Sequence, residues 1–156
     1  MSPATSGRDD VPAGAAPAVV RAGAVLDVLA ASPGGFLTLS DLAREVGIAK
    51  SSALTICTAL EVGGLVRKDD QGYSLGRRLV ELGGAYLERL DPVKDFYDAC
   101  ARSGVLSVET LRLSAFGGID TLCLARFEGR PALRLTAGIG DKLPSSATAQ
   151  GKAMLS

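Results

Sequence analysis

Two stretches with apolar residues at helical spacing, joined by a short break, dominate residues 38–60. The first has apolar residues at i, i+3, i+4 and i+7, namely Leu39, Leu42, Ala43 and Val46. The second repeats that spacing with Ala53, Ile56, Cys57 and Leu60. This spacing is typical of one face of an amphipathic helix, and the break at Gly47 predicts a helix-turn-helix. Thr38, with Asp41 three residues later, predicts a capped start for the first helix.

One further helix is predicted before this pair. Residues 18–31 have an apolar face formed by Ala22, Val25, Leu26 and Leu29. The Ser-Pro-Gly-Gly sequence at residues 32–35 ends that helix. Phe36 and Leu37 then provide a minor strand at most.

A hairpin is predicted directly after the pair. Glycines at residues 63–64 end the second helix, and residues 65–68 and 72–75 read as two short strands around an Asp-Asp-Gln turn. After a helix-turn-helix such a hairpin is a wing, and its Arg67 and Lys68 could reach DNA phosphates. The alternative is a solvated strand edge, on which cations discourage unwanted pairing.

The outer face of the second helix of the pair holds the candidate DNA-binding residues. When the apolar stripe faces inward, five side chains remain outside, namely Lys50, Ser51, Leu54, Thr55 and Thr58. Short hydroxyls and one cation at a helix N-terminus, where backbone N–H groups also point outward, suit contacts to phosphates and base edges. The alternative is an ordinary helical hairpin with a solvated outer face.

Two more helices are predicted after the hairpin. Residues 77–90 carry a helical stripe of Leu79, Leu82, Gly83, Tyr86 and Leu90. Asp91 and Pro92 predict the N-cap and the first residue of the next helix, which ends near residues 103–104. The stripe of that helix consists of Val93, Phe96, Tyr97 and Cys100.

Beyond this point the apolar period falls to two. The alternating apolar residues are Leu111, Leu113 and Ala115, then Leu122 and Leu124, then Leu133 and Leu135. The alternation predicts an antiparallel meander with one buried face. Residues 138–142 are expected to form a loop, and Ser145 to begin a helix. Helices and an antiparallel sheet together predict the fold class α+β.

Composition describes a soluble globular protein. Of the 156 residues, 47% are hydrophobic and 22% are charged. No stretch reaches the ~18 consecutive apolar residues of a membrane span. The start of the chain is acidic and proline-rich, and it lacks the basic segment of a secretory signal. We therefore expect a cytoplasmic protein without a membrane partner, whose residues 1–17 form a disordered leader.

The charge balance and the reactive side chains limit the classes of function that the sequence supports. The 17 basic side chains are balanced by 17 acidic ones, and residues 18–90 are balanced in the same way, whereas nucleic-acid binders are usually basic. The chain has no histidine, the usual general base and the commonest metal ligand. Cys57, Cys100 and Cys123 are too far apart for a CxxC-type site, so we interpret them as small core residues. Neither an enzyme nor a cofactor is expected.

Over nearly all of residues 19–156 the chain resembles the IclR family of bacterial transcriptional regulators. The resemblance rests on LTLSDLAREVGIAKSSA at residues 37–53, GLVRKDDQGYSLGRRLVELG at residues 64–83, and GIGDKLPSSATAQGKAML at residues 138–155. The last segment is the most specific, because helix-turn-helix patterns recur in many regulators.

This resemblance implies a domain order and an assembly. A winged helix-turn-helix DNA-binding domain (residues 18–76) would be joined by a linker helix (residues 77–90) to an effector-sensing domain (residues 91–156). Members of the family are dimers or tetramers that bind operator DNA and respond to a small-molecule effector.

The resemblance also assigns residues to the two sites. Lys50, Ser51, Ser52 and Thr55 would lie on the recognition helix. With the outward leucine and the wing cations, the predicted DNA-binding set is Lys50, Ser51, Ser52, Leu54, Thr55, Arg67 and Lys68. Leu143, Ala149 and Gln150 would line the effector pocket.

Two departures from the family leave two functions open. Thr55 occupies the position where the family usually has an arginine, which argues against strong or standard operator recognition. In the family the sensing domain continues well past the GKAML motif, so we expect a partial effector-binding domain that does not bind an effector tightly. A ligand-responsive, dimeric DNA-binding regulator is the favoured hypothesis. The alternative is a dimerising interaction module, or a truncated regulator without useful DNA binding.

Overall fold

The computed structural model describes residues 14–103, 109–128 and 138–156. The chain divides into two compact units at Leu82 and Gly83. The first unit contains the helices α1 (Pro17–Ala31), α2 (Leu39–Val46) and α3 (Lys50–Val62) and the strands β1 (Val66–Asp69) and β2 (Gly72–Leu75). This is the predicted order of three helices followed by a hairpin. The helix α4 (Arg78–Leu87) spans the boundary between the units.

The core of the first unit is built from the predicted stripes. Its buried members are Val25, Leu29, Leu42, Val46, Ile56, Cys57, Leu60, Val66 and Tyr73. Each helix has one apolar face, so the three helices can shield these side chains from water only by packing against one another. The predicted inward faces of α1, α2 and α3 are therefore confirmed.

The start of α2 is capped as the sequence predicts. The Thr38 hydroxyl accepts a hydrogen bond from the backbone N–H of Asp41 at 3.2 Å and donates one to the Asp41 carboxylate at 2.6 Å. Hydrogen bonds to Thr38 and to Arg44 hold the pKa of Asp41 below its ordinary value of 3.8. At the other end, Gly47 adopts the left-handed conformation (φ 71°), which turns the chain into α3.

The hairpin pairs β1 and β2 in antiparallel register, from Val66 opposite Leu75 to Asp69 opposite Gly72. Phe36 and Leu37, expected to provide a minor strand at most, do not form one: Leu37 makes an isolated bridge by exchanging two backbone hydrogen bonds with Tyr73, at 2.8 and 2.9 Å. Gly72 has a φ of 133°, and a Cβ there would overlap the carbonyl of Leu37. Only glycine fits at this position without strain.

Two glycines join the base of the hairpin to the end of α3. Gly76 donates its N–H to the carbonyl of Leu65 at 2.8 Å, and Arg78 donates its N–H to the carbonyl of Gly64 at 3.3 Å. A Cβ on Gly76 would overlap the Gly64 carbonyl. The two backbone segments therefore touch directly, with no side chain between them.

The helix predicted for residues 77–90 is shorter than expected. α4 ends at Leu87, and tighter turns follow, with the N–H of Arg89 bonded to Tyr86 and that of Leu90 to Leu87. These bonds join residues three apart, so the α-helical pattern of residues four apart has ended before Leu90.

The next helix, α5 (Asp91–Arg102), begins one residue earlier than predicted. Leu90, not Asp91, is its N-cap, since the carbonyl of Leu90 accepts the first helical hydrogen bond, from Val93 at 2.9 Å. Asp91 and Pro92 instead belong to the first turn of the helix.

Within residues 109–128 and 138–156 of the second unit, three strands form an antiparallel sheet. Its strands are β3 (Leu111–Phe116), β4 (Asp120–Phe127) and β5 (Lys142–Pro144), in the order β3-β4-β5. A short 3-10 turn (Ser145–Ala147) and α6 (Ala149–Leu155) follow. Helices with an antiparallel sheet confirm the fold class α+β.

Several details of this unit differ from the prediction. Lys142 begins a strand instead of ending a loop, and the α-helix expected from Ser145 begins only at Ala149, where Thr148 caps it. The predicted strand of Leu133 and Leu135 lies outside the described residues.

The expected alternation of buried and exposed residues also breaks in β4. Leu113 pairs with Ala125 but Ser114 pairs with Cys123, so Leu124 is an extra residue in the strand. This bulge puts three consecutive buried residues, from Cys123 to Ala125, in β4, while Leu122 is only half-buried.

Candidate nucleic-acid interface

The outer face of α3 carries most of the predicted recognition residues. Lys50, Ser51 and Thr55 are exposed, and 46% of the surface of Leu54 is accessible. Ser52 is half-buried, so it is less accessible than the others in the predicted set. The opposite stripe of α3 is buried in the core, which fixes the side of the helix that meets solvent.

The N-terminus of α3 has no side-chain cap. Its N-cap residue is Ala49, which has no polar side-chain atom to accept hydrogen bonds from the first turn. The first N–H groups of a helix have no partner within the helix, and together with the helix dipole they attract anions. Lys50 and Ser51 lie in this first turn, so the N-terminal end of α3 has the chemistry of a phosphate contact.

The hydroxyl of Thr55 is partly committed within the helix. It donates a hydrogen bond to the carbonyl of Ser51 at 3.1 Å. A hydroxyl has one proton, so Thr55 can offer an outside partner only its oxygen lone pairs and its methyl group.

The two wing cations lie on opposite faces of the hairpin, because they are neighbours in β1. The Nε of Arg67 donates to the Ser74 hydroxyl at 2.7 Å, and its guanidinium lies 3.7 Å from the Asp69 carboxylate. The ammonium of Lys68 lies 5.6 Å from the centre of the Tyr73 ring. Arg67 and Lys68 therefore do not form one continuous basic patch.

The tip of the wing is acidic because it carries Asp69 and Asp70, two adjacent carboxylates that are visible in the sequence but absent from the predicted DNA-binding set. Both residues are exposed. The Asp69 carboxylate accepts a hydrogen bond from the N–H of Gln71 at 3.0 Å, which closes the turn. Carboxylates at this tip oppose an approach to DNA phosphates.

The three predicted effector residues surround one groove in the second unit. This groove of about 320 Å³ is lined by Thr110, Leu111, Arg112, Leu143, Thr148, Ala149 and Gln150. The Gln150 amide donates to the carbonyl of Arg112 at 2.8 Å and accepts from the Ser114 hydroxyl at 3.0 Å. Gln150 thus holds α6 against β3.

The glycine of the GKAML motif has a packing role. A Cβ on Gly151 would overlap the backbone of Ser145, and Gly151 is buried. Ser145 is itself buried, and its hydroxyl donates to the carbonyl of Gly118 at 3.2 Å. The close contact of Gly151 with Ser145 sets the position of α6 beside the groove.

The cysteines behave as core residues. All three are free thiols and buried, as predicted. Burial raises the pKa of Cys57 and of Cys123 above the ordinary value of 9.0. Burial therefore favours the protonated form of Cys57 and of Cys123. Within residues 14–103, 109–128 and 138–156, no His, Cys, Asp and Glu side chains come together as a metal site, and no helix is long and apolar enough to cross a membrane.

Residues 18–70 match the family model of the IclR helix-turn-helix domain. Among curated proteins, the chain is 27% identical over 142 residues to the HTH-type transcriptional repressor AllR of Escherichia coli K12, an alignment that covers 90% of this chain and 52% of AllR. The chain therefore spans about half the length of the curated relatives that it matches.

Solved structures of similar proteins also match this chain over about half of their length. The IclR of Thermotoga maritima matches with a TM-score of 0.66 and 27% identity, over 88% of this chain and 56% of that one. The HmgR of Pseudomonas aeruginosa matches with a TM-score of 0.69 and 25% identity, over 89% of this chain and 60% of that one.

Proposed function

We propose, from the premise that this chain is a member of the IclR family of bacterial transcriptional regulators, that it binds double-stranded operator DNA through α3. In this proposal residues 18–76 are the DNA-binding domain, residues 77–90 the linker and residues 91–156 the part of a sensing domain that the chain contains. The protein acts in the cytoplasm as a regulator of transcription, without a catalytic step or a cofactor.

The observation that carries the proposal is the geometry of α3 within the helix-turn-helix. Its inner stripe is buried against α1 and α2, so its outer face and its uncapped N-terminus meet solvent together. An exposed helix of this kind can enter a major groove. Lys50 at its first residue neutralises one phosphate, while Leu54 and Thr55 reach base edges further along the helix.

A salt titration of DNA binding tests this proposal. Binding of the chain to duplex DNA should weaken as salt rises, because phosphate contacts release counterions. Lys50→Ala should weaken binding about equally on all sequences and lower the salt slope by about one unit per protomer. Lys94→Ala, which removes an exposed lysine of α5 in the second unit, is the matched control and should leave both quantities unchanged.

The proposed regulator is a dimer whose contact includes α4. This helix has no buried residue, and Leu82 is 47% exposed beside the exposed Tyr86 and the half-buried Leu79. An apolar stripe of this kind is stabilised when a second chain covers it.

Sedimentation tests this dimer. The wild-type chain should sediment as a dimer at micromolar concentration, and Leu82→Arg should convert it to a monomer. Ile119→Arg, at an 88% exposed residue of the second unit, should remain dimeric. A wild-type chain that stays monomeric at this concentration would contradict the proposed assembly.

The residues that line the groove beside α6 form one wall of the proposed effector site. The volume of the groove lies at the lower end of small-molecule pockets. Leu143 and Ala149 give it apolar surface. Gln150 acts mainly by positioning α6, since both ends of its amide are bonded to β3.

A second candidate function is an interaction module that dimerises without useful DNA binding. The acidic wing tip, the tethered Arg67 and the absence of net charge favour it. Failure to observe any salt-dependent DNA binding, together with a stable dimer, would select this alternative.

A further inference from the structure

The exposed face of α3 lacks the side chains that read purines by paired hydrogen bonds. Arginine makes such contacts with guanine, and asparagine or glutamine with adenine. None of these residue types occurs in α3 (Lys50–Val62). Lysine can also contact guanine, but Lys50 is the first residue of the helix and lies beside its anion-attracting N-terminus. The middle of the helix must therefore recognise bases in another way.

The side chains in the middle of this face present mainly apolar groups. Leu54 is 46% exposed, and α3 contributes to the core of the first unit through the buried stripe on its opposite side. Thr55, one residue further, has its hydroxyl proton bonded to Ser51, so it presents its methyl group and oxygen lone pairs but no hydrogen-bond donor. Thr58, one turn after Leu54, is also exposed and carries a methyl group beside its hydroxyl.

The major groove has one apolar feature that differs between base pairs. Thymine carries a C5-methyl group there, and cytosine, guanine and adenine do not. An aliphatic side chain gains free energy by shielding this methyl group from water, and loses it by shielding the polar edge of a G·C pair. Leu54 and Thr55 are therefore suited to thymine.

We infer that α3 recognises its DNA site through thymine C5-methyl groups, with Leu54 and Thr55 as the residues that determine specificity. This inference rests on the proposed function and adds the class of sequence that α3 prefers. The half-site then contains thymine at the positions that face Leu54 and Thr55, with Lys50 and Ser51 on the adjacent phosphates.

Replacing thymine by uracil in DNA tests this inference directly. Duplexes that bind the full 156-residue chain are selected from a random library, and each selected sequence is then synthesised once with thymidine and once with deoxyuridine. The two duplexes differ only in the C5-methyl groups. Each contacted methyl that is removed should weaken binding about fourfold. The salt slope should stay the same, because the phosphates are unchanged.

Variants of α3 separate a local methyl contact from a change in DNA shape. Leu54→Ala should lower the affinity ratio of the two duplexes by about fourfold for each methyl that Leu54 contacts, leaving only the share of Thr55. Leu54→Met, which keeps an apolar side chain, should retain most of the ratio. Leu75→Ala is the matched control, since Leu75 is a 38% exposed leucine at the end of β2. It should keep the full ratio. Circular dichroism of each variant confirms that it is folded before its affinity is compared.

The possible outcomes distinguish the inference from the proposed function. Equal binding of the two duplexes by the wild-type chain overturns the inference and leaves DNA binding intact. A ratio that Leu54→Ala does not reduce also overturns it, because the methyl groups then act away from Leu54. If the selection enriches no duplex over the starting library, both the inference and the proposed function fail.

Discussion

Leu42 and Leu54 are two leucines of the helix-turn-helix with opposite environments, and truncating each to alanine should separate folding from DNA binding. Leu42 is 0% exposed in the core of the first unit, whereas Leu54 is 46% exposed on α3. Removing a fully buried leucine side chain costs its transfer free energy plus the cavity that remains, about 2–5 kcal/mol. Removing Leu54 leaves no internal cavity and should change the free energy of unfolding by no more than about 0.5 kcal/mol.

These values translate into clear shifts in thermal unfolding. For a unit of this size, 1 kcal/mol corresponds to about 4–8 °C in Tm. A cost of about 3 kcal/mol for Leu42→Ala then lowers the Tm by about 12–24 °C, while Leu54→Ala shifts it by only a few degrees. Urea denaturation should show the same order, with unchanged m-values if both variants unfold from the same folded state.

DNA binding should give the opposite order. Measured well below the Tm of both variants, Leu42→Ala should retain the wild-type affinity, because the outer face of α3 is intact. Leu54→Ala should lose affinity at the sequences selected by the wild-type chain. Equal destabilisation by the two substitutions would show that Leu54 belongs to the core and that the outer face of α3 has been assigned to the wrong side.

Three further predictions concern glycines and charges of the first unit. Gly76→Ala should lower the free energy of unfolding by more than about 1 kcal/mol, because the added Cβ meets the Gly64 carbonyl. Gly23→Ala in α1, where the added Cβ has open space around it, should raise the free energy of unfolding by about 0.5–1 kcal/mol in the same thermal melts. Asp69→Asn keeps a hydrogen-bond acceptor for the turn but removes a carboxylate beside Arg67. Anisotropy titrations should therefore show tighter DNA binding with a steeper salt dependence, and weaker binding would argue against an inhibitory wing tip. Because the pKa of Asp41 is lowered in the folded state, its contribution to stability is present above the unfolded-state pKa of about 4 and is lost as the pH falls through the folded-state pKa. Asp41→Asn should therefore flatten the fall in Tm at acid pH. An unchanged dependence of Tm on acid pH would refute the assignment.

The first unit could be predicted well because its signals are local. Each helix has one apolar stripe, a recognisable stop and, for α2, a cap whose partners lie three residues apart. The outward face of α3 follows from the same period. What the sequence did not predict are the side-chain bonds on that face: the rotamer of Thr55 that bonds Ser51, and the tether of Arg67 to Ser74 across the hairpin.

The second unit was predicted less well because its details depend on distant partners. The bulge in β4 lies where Cys123 exchanges backbone hydrogen bonds with Gly140 and Asp141, at 2.9 and 3.0 Å. β5 is only three residues long and contains Pro144, so alternation could not reveal it. Resemblance to the family named Gln150 as a lining residue, but its bonds to β3 come from packing between segments 36 and 38 residues apart.

The direct backbone contact between Gly64 and Gly76 has a consequence for engineering. The hairpin meets the end of α3 through main-chain contacts at Gly64 and Gly76 and through the buried side chains of Val66 and Tyr73. None of these residues lies in the turn, so the geometry of this joint does not depend on which side chains occupy the turn. Residues 67–71 can therefore be treated as a replaceable cassette. Turns of the same length but different charge could be grafted onto this scaffold, and DNA affinity could be adjusted independently of the recognition helix.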